Sequence, residues 1–575
     1  MHGGQVVAQV LQEEKVSFLF TLIGGHISPI IVAAKQSGIR IIDTRHEVNA
    51  AFAADAVARL TGVPGVAAVT AGPGITNTIT AIKNAYLAQS PVVLLGGAAP
   101  TLLKGRGALQ DIDQMKLMRP HVKWARAVRT VREIYPALKK AFRVAQEGVP
   151  GPVFVELPLD ILYDESIIRA GFEKSFAAPT TISQRLTSWY VRRHLNNVFQ
   201  PGKHIAEESA TWSFPNATAD SVARAANMIR ASQRPVLVIG SGAMMIPSKA
   251  EEIAMSLQSM DIPVFLSGMA RGLLGKQSNV QYRHNRKEAL READVVILAG
   301  VPNDFRLEYG RHINSQAKVI SINRSRTDLF KNRKPTLPVL GDPGNFLIEL
   351  GRQELASAVN SRSEWKDRLT QRETKREENI KSTGVDGNGL HPVQLFLALD
   401  KVLSDDSVIV ADGGDFVATA SYILRPRKPL SWLDPGVFGT LGIGGGFALG
   451  AKLCKPSSEI ILIYGDGSAG YSLMEFDTFV RHRLPVIAII GNDASWAQIA
   501  RDQVDLLKDD VGTVLAHSDY EKVVQAFGAR GQKVETLPRF MAALEEARAS
   551  VKEGVPYLIN AVLAKSDFRK GSLSM

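Results

Sequence analysis

The stretch Glu459–Ser468 reads EIILIYGDGS, and the stretch Val486–Asn492 reads VIAIIGN. Each is a short apolar run that ends in a glycine and a polar residue, Asp466 in the first and Asn492 in the second. Continuous runs of this kind are typical of strands that are buried on both faces of a parallel sheet. Ligands bind beyond the carboxyl ends of such strands. We therefore predict a parallel α/β sheet with Asp466 and Asn492 at its ligand-binding edge.

The same alternation of short apolar runs and longer amphipathic stretches extends along the whole chain, and it predicts three α/β units with parallel sheets. The predicted strands are Phe18–Leu22, Ile39–Asp43, Gly65–Thr70, Val92–Leu95, Val153–Leu157, Val236–Ile239, Val264–Leu266, Val295–Ala299, Val319–Ile322, Ser407–Ala411, Glu459–Tyr464, Val486–Ile490 and Tyr557–Ala561. We place the units at residues 1–175, 216–350 and 385–575. A polar linker with one amphipathic helix is expected at 176–215, and a charged helical linker at 351–384.

Composition excludes several classes of protein. The 575 residues are 45% hydrophobic and 22% charged, which is typical of a globular protein. No apolar run is long enough to predict a membrane-spanning helix. The net charge of +11 is spread along the chain rather than gathered in a basic, aromatic block, so we do not expect nucleic-acid binding. It suits a phosphorylated small molecule such as coenzyme A. The single cysteine, Cys454, excludes an intramolecular disulfide.

Asp466 and Asn492 offer a carboxylate and an amide oxygen, which are ligands that Mg²⁺ accepts together with diphosphate oxygens. The small residues Gly467 and Ser468 allow a phosphate to approach the backbone closely. Gly-Asp-Gly alone is also a common turn. The magnesium interpretation therefore depends on the second polar strand end at Asn492.

A second candidate is Glu47, which opens a helix of small and apolar residues after the strand Ile39–Asp43. A carboxyl in an apolar setting favours its protonated form, as a general acid requires, although an acidic residue at a helix start also has a purely structural explanation. Glycine-rich turns at Gly24–His26, Gly72–Gly74 and Gly439–Gly442 complete the pattern, and none fits the dinucleotide-binding fingerprint.

These motifs resemble the thiamine diphosphate (ThDP) enzymes of the acetolactate synthase family, over essentially the whole chain. The resemblance is closest to the animal acetolactate-synthase-like branch, whose members act as 2-hydroxyacyl-CoA lyases. The segments that carry it are Gly24–Pro29, Asp43–Glu47, Thr70–Asn77, Gly268–Gly275, Asp434–Leu441, Gly465–Gly467, Glu475–His482 and Gly491–Asp493. The resemblance implies three doubly wound parallel-sheet domains. The first domain along the chain would bind the pyrimidine ring of ThDP, and the last would bind its diphosphate. It also implies a homodimer or homotetramer, with ThDP held between the first domain of one subunit and the last domain of its partner.

Site residues are carried over from the family position by position. Asp466, Asn492 and the carbonyl of Ala494 become Mg²⁺ ligands, and Glu47 becomes the acid that bonds to the pyrimidine N1′ atom. His26 and Gln110 border the substrate, although His26 has a structural turn as its alternative. The family often has an asparagine where this chain has Gly491. The remaining cofactor-binding residues would be Gly25, Pro73, Asn77, Asp415, Phe416, Gly439, Leu441, Gly467 and Ser468.

The resemblance implies cleavage of a 2-hydroxyacyl-CoA into formyl-CoA and an aldehyde one carbon shorter, as in fatty acid α-oxidation. One alternative is condensation of 2-keto acids, as in acetolactate synthase. Another is a ThDP-fold scaffold without activity, which the presence of Glu47, Asp466 and Asn492 disfavours. The central domain would bind ADP, FAD or neither. In the animal relatives an N-terminal anchor holds the protein at the endoplasmic reticulum membrane, and that anchor would precede the residues seen here. Without an anchor we expect a cytoplasmic protein.

Overall fold

The computed structural model describes residues 2–175, 181–200, 215–355, 360–384 and 389–571. The chain forms two compact units, Met1–Arg59 with Val63–Trp212 and Leu60–Gly62 with Ser213–Met575. The described residues contain three six-stranded sheets, and every pairing of strands within them is parallel. The predicted fold class is therefore confirmed. No described helix is both long enough and apolar enough to cross a membrane.

The first unit contains one sheet with the strand order β2-β1-β3-β4-β6-β5. Its strands are β1 (Phe18–Leu22), β2 (Arg40–Asp43), β3 (Gly65–Val69), β4 (Val92–Ala98), β5 (Trp124–Ala127) and β6 (Val153–Pro158). Its helices are α1 (Gly3–Glu13), α2 (Ser28–Gln36), α3 (Glu47–Thr61), α4 (Pro73–Thr76), α5 (Ile79–Leu87), α6 (Gln114–Met118), α7 (Val131–Gln146), α8 (Leu159–Leu162), α9 (Glu165–Ser175) and α10 (Ile182–Val198).

Both faces of the first sheet are buried. Leu19, Val66 and Val93 pack with α1, α2 and α7 in one core cluster. Phe20 and Ala67, which point to the opposite face because side chains alternate along a strand, are equally inaccessible to solvent. This double burial explains why the central strands read as unbroken apolar runs.

The second unit contains two sheets, and the first of them has the strand order β12-β11-β10-β7-β8-β9. Its strands are β7 (Pro235–Ile239), β8 (Val264–Leu266), β9 (Gln281–Tyr282), β10 (Val295–Ala299), β11 (Lys318–Asn323) and β12 (Leu337–Leu340). The associated helices are α11 (Ala219–Arg230), α12 (Ala250–Met260), α13 (Arg286–Glu292), α14 (Arg326–Leu329), α15 (Pro343–Gly351) and α16 (Asn360–Ser382).

The other sheet of the second unit has the strand order β14-β13-β15-β16-β18-β17. Its strands are β13 (Val408–Asp412), β14 (Trp432–Leu433), β15 (Ile460–Gly465), β16 (Ile487–Asn492), β17 (Arg530–Val534) and β18 (Tyr557–Val562). The associated helices are α17 (Pro392–Val402), α18 (Asp415–Ile423), α19 (Gly444–Cys454), α20 (Asp466–Ser472), α21 (Glu475–Arg481), α22 (Ala497–Leu507), α23 (Tyr520–Ala526) and α24 (Leu537–Lys552).

Both stretches predicted as linkers contain helices that pack on a sheet domain. Helix α10 lies within 176–215, and helix α16 lies within 351–384. Trp365 of α16 is buried and donates its indole N–H to the Pro235 carbonyl at 3.2 Å, which attaches α16 to the central sheet. Residues 176–180, 201–214 and 356–359 of these stretches lie outside the described residues.

Five strands were not predicted from the sequence, namely β5, β9, β12, β14 and β17. All five lie at an edge of their sheet. An edge strand is covered less completely and is shorter or more polar than a central one, as β17 shows with the sequence RGQKV. The apolar run that identifies a strand in the sequence is therefore weakest at these positions.

Candidate active site

Glu47 is the first residue of α3 and follows strand β2. Its side chain is buried, with 6% of the residue exposed. Asn77 donates its side-chain amide to Glu47 Oε2 at 3.0 Å, and the imidazole of His46 lies 4.0 Å from the same oxygen. Among the described residues nothing donates a hydrogen bond to Oε1. A buried carboxyl with one unengaged oxygen fits a partner such as a pyrimidine ring nitrogen.

Asn77 and Pro73 lie at the two ends of the short helix α4, which follows strand β3. The turn before α4 depends on Gly72, whose φ of +59° favours glycine and whose Cβ would lie 2.7 Å from the Gln110 carbonyl. The Gly72 N–H donates to Gln114 Oε1 at 2.8 Å. The predicted residues Pro73, Asn77 and Gln110 are thus gathered around one turn.

Gln114 fixes that turn and was not predicted from the sequence. It is almost fully buried, and its amide nitrogen donates to the Gly97 carbonyl at 3.1 Å and to Glu156 Oε2 at 3.0 Å. Glu156 in turn pairs with Lys104. The partners of Gln114 are 42 and 17 residues away in sequence, so no local motif indicates its role.

His26 and Gly25 lie in the loop after strand β1. The Nδ1 atom of His26 and the Thr70 hydroxyl share a hydrogen bond of 3.0 Å, which joins the ends of neighbouring strands β1 and β3. Partial burial lowers the pKa of His26, so its imidazole is neutral at pH 7. Gly25 is exposed, and its carbonyl accepts a hydrogen bond from the Tyr163 hydroxyl at 3.1 Å. Both the structural and the substrate interpretation of His26 fit this position.

Asp466 follows strand β15 as the first residue of α20, and it is nearly fully buried. Its carboxylate accepts hydrogen bonds from the backbone N–H of Gly467 at 2.8 Å and of Ser495 at 3.3 Å. The Ser468 hydroxyl donates to the Asp412 carbonyl at 2.5 Å and to the Gly465 carbonyl at 3.0 Å. Burial raises the pKa of Asp466.

Asn492 ends strand β16, which pairs directly with β15, and it is fully buried. Its amide nitrogen donates to Asn560 Oδ1 at 3.0 Å and to the Ser518 carbonyl at 3.2 Å. These bonds fix the orientation of Oδ1, which lies 3.2 Å from His517 Nδ1. The strands therefore bring Asp466 and Asn492 to the same edge of the sheet, as predicted.

Ala494 adopts a left-handed backbone conformation with φ of +55°, which is uncommon for a residue other than glycine. Its carbonyl accepts a hydrogen bond from the Leu515 N–H at 2.8 Å. A carbonyl oxygen has a second lone pair, so this bond leaves Ala494 able to act as the predicted third metal ligand.

Three carboxyl groups crowd this edge of the sheet. Burial, and next the neighbouring carboxylate of Asp466, raise the pKa of Asp493 to about 7, with a smaller contribution from Asp415. Acidic groups held together in a buried place favour a divalent cation, which compensates their charge. The donor set of carboxylate, amide and carbonyl oxygens fits Mg²⁺. Asp493 directly follows Asn492 and was not predicted as a site residue.

Asp415 and Phe416 begin helix α18. Arg501 donates to Asp415 Oδ2 at 2.6 Å. The Phe416 ring lies against Gly491, where a Cβ atom would come within 2.4 Å of the ring. This contact explains the departure at Gly491, because an asparagine side chain has no room beside Phe416 in this arrangement.

Asp412 holds the glycine-rich loop that contains Gly439 and Leu441. It is the last residue of β13, and its carboxylate accepts hydrogen bonds from the N–H groups of Gly442 at 3.1 Å and Gly444 at 2.7 Å. Burial raises the pKa of Asp412 to about 7. Gly439 is exposed with φ of +64°, and Leu441 is half-buried. Asp412 was missed, although a polar residue that ends an apolar strand is the same signal that identified Asp466.

Three parts of the chain match family models of known protein domains. Residues 1–117 match the family model for the N-terminal TPP binding domain of thiamine pyrophosphate enzymes, where TPP is another name for ThDP. Residues 222–350 match the central domain of these enzymes, and residues 412–561 match their C-terminal TPP binding domain. The site residues thus form two clusters: the cluster around Glu47 lies in the N-terminal TPP binding domain, and the cluster around Asp466 lies in the C-terminal one.

Similar proteins cover the whole chain. The 2-hydroxyacyl-CoA lyase 2 of Danio rerio is 49% identical over 586 aligned residues, which include 100% of this chain and 93% of the relative. The 2-hydroxyacyl-CoA lyase 2 of Homo sapiens is 45% identical over 583 aligned residues, which include 100% of this chain and 92% of the relative. The acetolactate synthase large subunit of Mycobacterium tuberculosis is 33% identical over 563 aligned residues, which include 97% of this chain and 95% of the relative.

Proposed function

The chain belongs to the thiamine pyrophosphate enzymes, and from this premise we propose that it is a 2-hydroxyacyl-CoA lyase. The bond between C1 and C2 of the substrate breaks. C2 leaves as an aldehyde after its hydroxyl loses a proton, and C1 gains a proton to become formyl-CoA. The observation that carries the proposal is identity of 45–49% over the full chain to relatives with this name, against 33% to the acetolactate synthase.

The two clusters fit the cofactors of such an enzyme. Asp466, Asn492 and the Ala494 carbonyl would hold Mg²⁺, and Glu47 would bond to the pyrimidine ring of ThDP. When bound, ThDP supplies the electron sink that carbon–carbon cleavage requires. The other predicted cofactor contacts, at Pro73, Asp415, Gly439 and Leu441, belong to the same turns and strand ends. ADP and FAD stay predictions for the central domain.

The chain supplies proton transfer and geometry. Glu47, buried and bonded to Asn77, would hold a proton at Oε1 and share it with a ring nitrogen. His26 is neutral at pH 7 because burial lowers its pKa, so it can accept the proton of the substrate hydroxyl. Gln110, held beside Gly72, would orient the substrate.

We propose that the protein assembles as a homodimer or homotetramer. Helix α22 has no buried residue, and it exposes Ile499, Leu506 and Leu507 beside the carboxyl cluster at Asp415. An apolar surface of this kind next to a site is typical of an interface. Light scattering on the full chain tests the assembly, and a monomeric mass with bound cofactor would contradict it.

The activity is tested with purified protein, ThDP and Mg²⁺, using 2-hydroxyacyl-CoA esters of several chain lengths and, in parallel, pyruvate. We expect an aldehyde and formyl-CoA in equal amounts from a CoA ester. Acetolactate from pyruvate, without cleavage of any CoA ester, would instead assign the condensation reaction.

A further inference from the structure

Helix α10 is firmly attached to the first unit along one side. Val191, Leu195 and Val198 are buried on that side, where Val191 and Leu195 pack with Leu102 and Ile168 in one apolar cluster. At the start of α10, Thr181 and Gln184 form reciprocal capping bonds of 3.2 Å.

A polar contact completes this attachment. His194 Nε2 and the Thr101 hydroxyl share a hydrogen bond of 2.7 Å, and the same hydroxyl donates to the buried Asp160 at 2.5 Å. Because Thr101 donates to Asp160, the His194 ring must donate to Thr101. The helix is thus fixed by its inner side, and its outer side is presented to the surroundings.

The outer side of α10 carries a stripe of large apolar and aromatic side chains. Ile182, Leu186 and Trp189 follow one another at intervals of four and three residues, which places them on one face of a helix. They are 78%, 63% and 58% exposed, and the adjacent Tyr190 is 52% exposed. We call these four residues the outer stripe. A continuous exposed stripe of this size on a helix marks an interaction surface.

Arginines accompany the outer stripe. Arg185 and Arg192 lie along one of its flanks by helical periodicity, and Arg193 continues the stripe one turn after Trp189. The guanidinium of Arg193 lies 5.4 Å from the centre of the Trp189 ring. Within the described part of the chain, none of these three arginines forms an ion pair with a carboxylate. Among the described residues, the stripe is therefore bordered by positive charge that an anionic surface can pair with.

We propose that the outer stripe of α10 binds the surface of an anionic lipid bilayer. Apolar residues on one helix face with tryptophan, tyrosine and flanking arginine are typical of helices that lie in the plane of a membrane interface. Trp189 and Tyr190 combine an apolar ring with a polar group, and Arg193 can keep its charge at the level of the headgroups while its methylenes cover Trp189.

The alternative binding partner for an exposed apolar stripe is a second copy of the chain. A two-fold contact would bring the same surface of each copy together, so that an arginine-flanked stripe would meet another arginine-flanked stripe. Like charges oppose that contact where no described carboxylate lies between them, whereas anionic headgroups satisfy them. The charges therefore favour lipid.

Vesicle flotation of the full chain tests the proposal. The vesicles contain phosphatidylcholine with about one-third phosphatidylserine, or phosphatidylcholine alone. We expect binding to the anionic vesicles that weakens with salt. The variant Leu186→Gln/Trp189→Gln should bind about tenfold less or weaker still, because two large apolar groups are lost from the contact. The control Met255→Gln/Leu340→Gln removes two exposed apolar residues elsewhere and should bind like the wild type.

A labelled protein gives an independent measurement. Burial raises the pKa of Cys454 to about 12, so that thiol is unreactive at neutral pH and an introduced cysteine can be labelled selectively. An environment-sensitive fluorophore on Leu186→Cys should shift to the blue with anionic vesicles, and one on Met255→Cys should not. The proposal is overturned if the wild type does not float, if the stripe variant floats equally, or if the stripe variant instead lowers the oligomeric mass.

Discussion

The side-chain amide of Asn77 donates a hydrogen bond of 3.0 Å to Glu47 Oε2 and leaves Oε1 without a donor among the described residues. The amide fixes the carboxyl in one orientation at the start of a helix that is almost entirely buried. This arrangement distinguishes Glu47 from an ordinary acidic residue at a helix start, because it is shielded from water and yet keeps one oxygen for a ligand.

Glu47→Gln should abolish most of the activity and leave the fold intact. The amide has the same shape and can still accept a bond from Asn77, but it cannot supply a proton. We expect the rate constant for aldehyde release to fall by about 100-fold or more. The control is Glu251→Gln, which changes an exposed glutamate in the first turn of α12 and should keep full activity. Turnover within about threefold of the wild type in Glu47→Gln would refute the acid role.

Asp466→Asn should remove the response of the protein to its cofactors. Ligands that bind only the folded state stabilise it, by about 2.7 kcal/mol at one hundred times the dissociation constant. We expect Mg²⁺ and ThDP together to raise the melting temperature of the wild type and not that of the variant. Asp220→Asn, at an exposed helix start, is the matched control. An undiminished rise in Asp466→Asn would show that Asp466 does not hold the metal.

The carboxyl of Asp412 predicts a pH dependence of stability in the cofactor-free protein. Burial raises its pKa from 3.8 to about 7, so between these pH values the folded state holds a proton that the unfolded state has lost. The contribution of Asp412 to the free energy of unfolding is therefore present at low pH, and it is lost as the pH rises from 3.8 to about 7. Asp412→Asn cannot titrate. We compare the free energies of unfolding of the wild type and of Asp412→Asn. The value for the wild type minus the value for the variant should fall by up to a few kcal/mol from about pH 5 to pH 8. A difference that is constant with pH, measured by urea unfolding, would contradict this.

Gly491→Asn should destabilise the protein because the Phe416 ring occupies the space that a side chain would need. Overpacking of this kind costs about 1–3 kcal/mol. Adding Phe416→Leu should recover part of the loss, and a double-mutant cycle from urea unfolding measures the coupling. Additive effects of the two substitutions would mean that the residues are not in contact.

Gln114→Leu should weaken the turn that carries Pro73 and Asn77. It removes the partner of the Gly72 N–H and takes one bond each from the Gly97 carbonyl and from Glu156, which keeps its pairing with Lys104, at about 1–3 kcal/mol for each buried group that stays unsatisfied. We expect lower stability together with a higher ThDP concentration for half-maximal activity. Gln258→Leu, on the exposed side of α12, should change neither quantity. Reduced stability with unchanged ThDP dependence would limit Gln114 to a structural role.

The central strands of the sheets could be predicted from the sequence because burial on both faces leaves an unbroken apolar run. β15 and β16 illustrate this, and they identified Asp466 and Asn492 through the polar residue at each strand end. Edge strands such as β5 and β17 lack this signal, since solvent reaches part of each. The same strand-end rule also applies to Asp412, where the predicted strand ended one residue too early.

Residues that act across the fold had no signal in the sequence. Gln114 reaches Gly72 over 42 positions, and neither residue type nor spacing indicates that pair. The packing of Phe416 on Gly491 likewise joins α18 to β16 through a tertiary contact. Such relationships depend on how the strands are ordered, which the linear pattern does not contain.

Following one carbon atom through the reaction tests the lyase activity of the protein. A 2-hydroxyacyl-CoA with a heavy-isotope label at the thioester carbonyl is incubated with the full chain, ThDP and Mg²⁺, and the products are separated by mass spectrometry. We predict that the label appears in formyl-CoA and that an unlabelled aldehyde one carbon shorter forms in equal amount. Recovery of the intact labelled ester, under conditions in which the protein converts pyruvate to acetolactate, would show that the protein is not a 2-hydroxyacyl-CoA lyase.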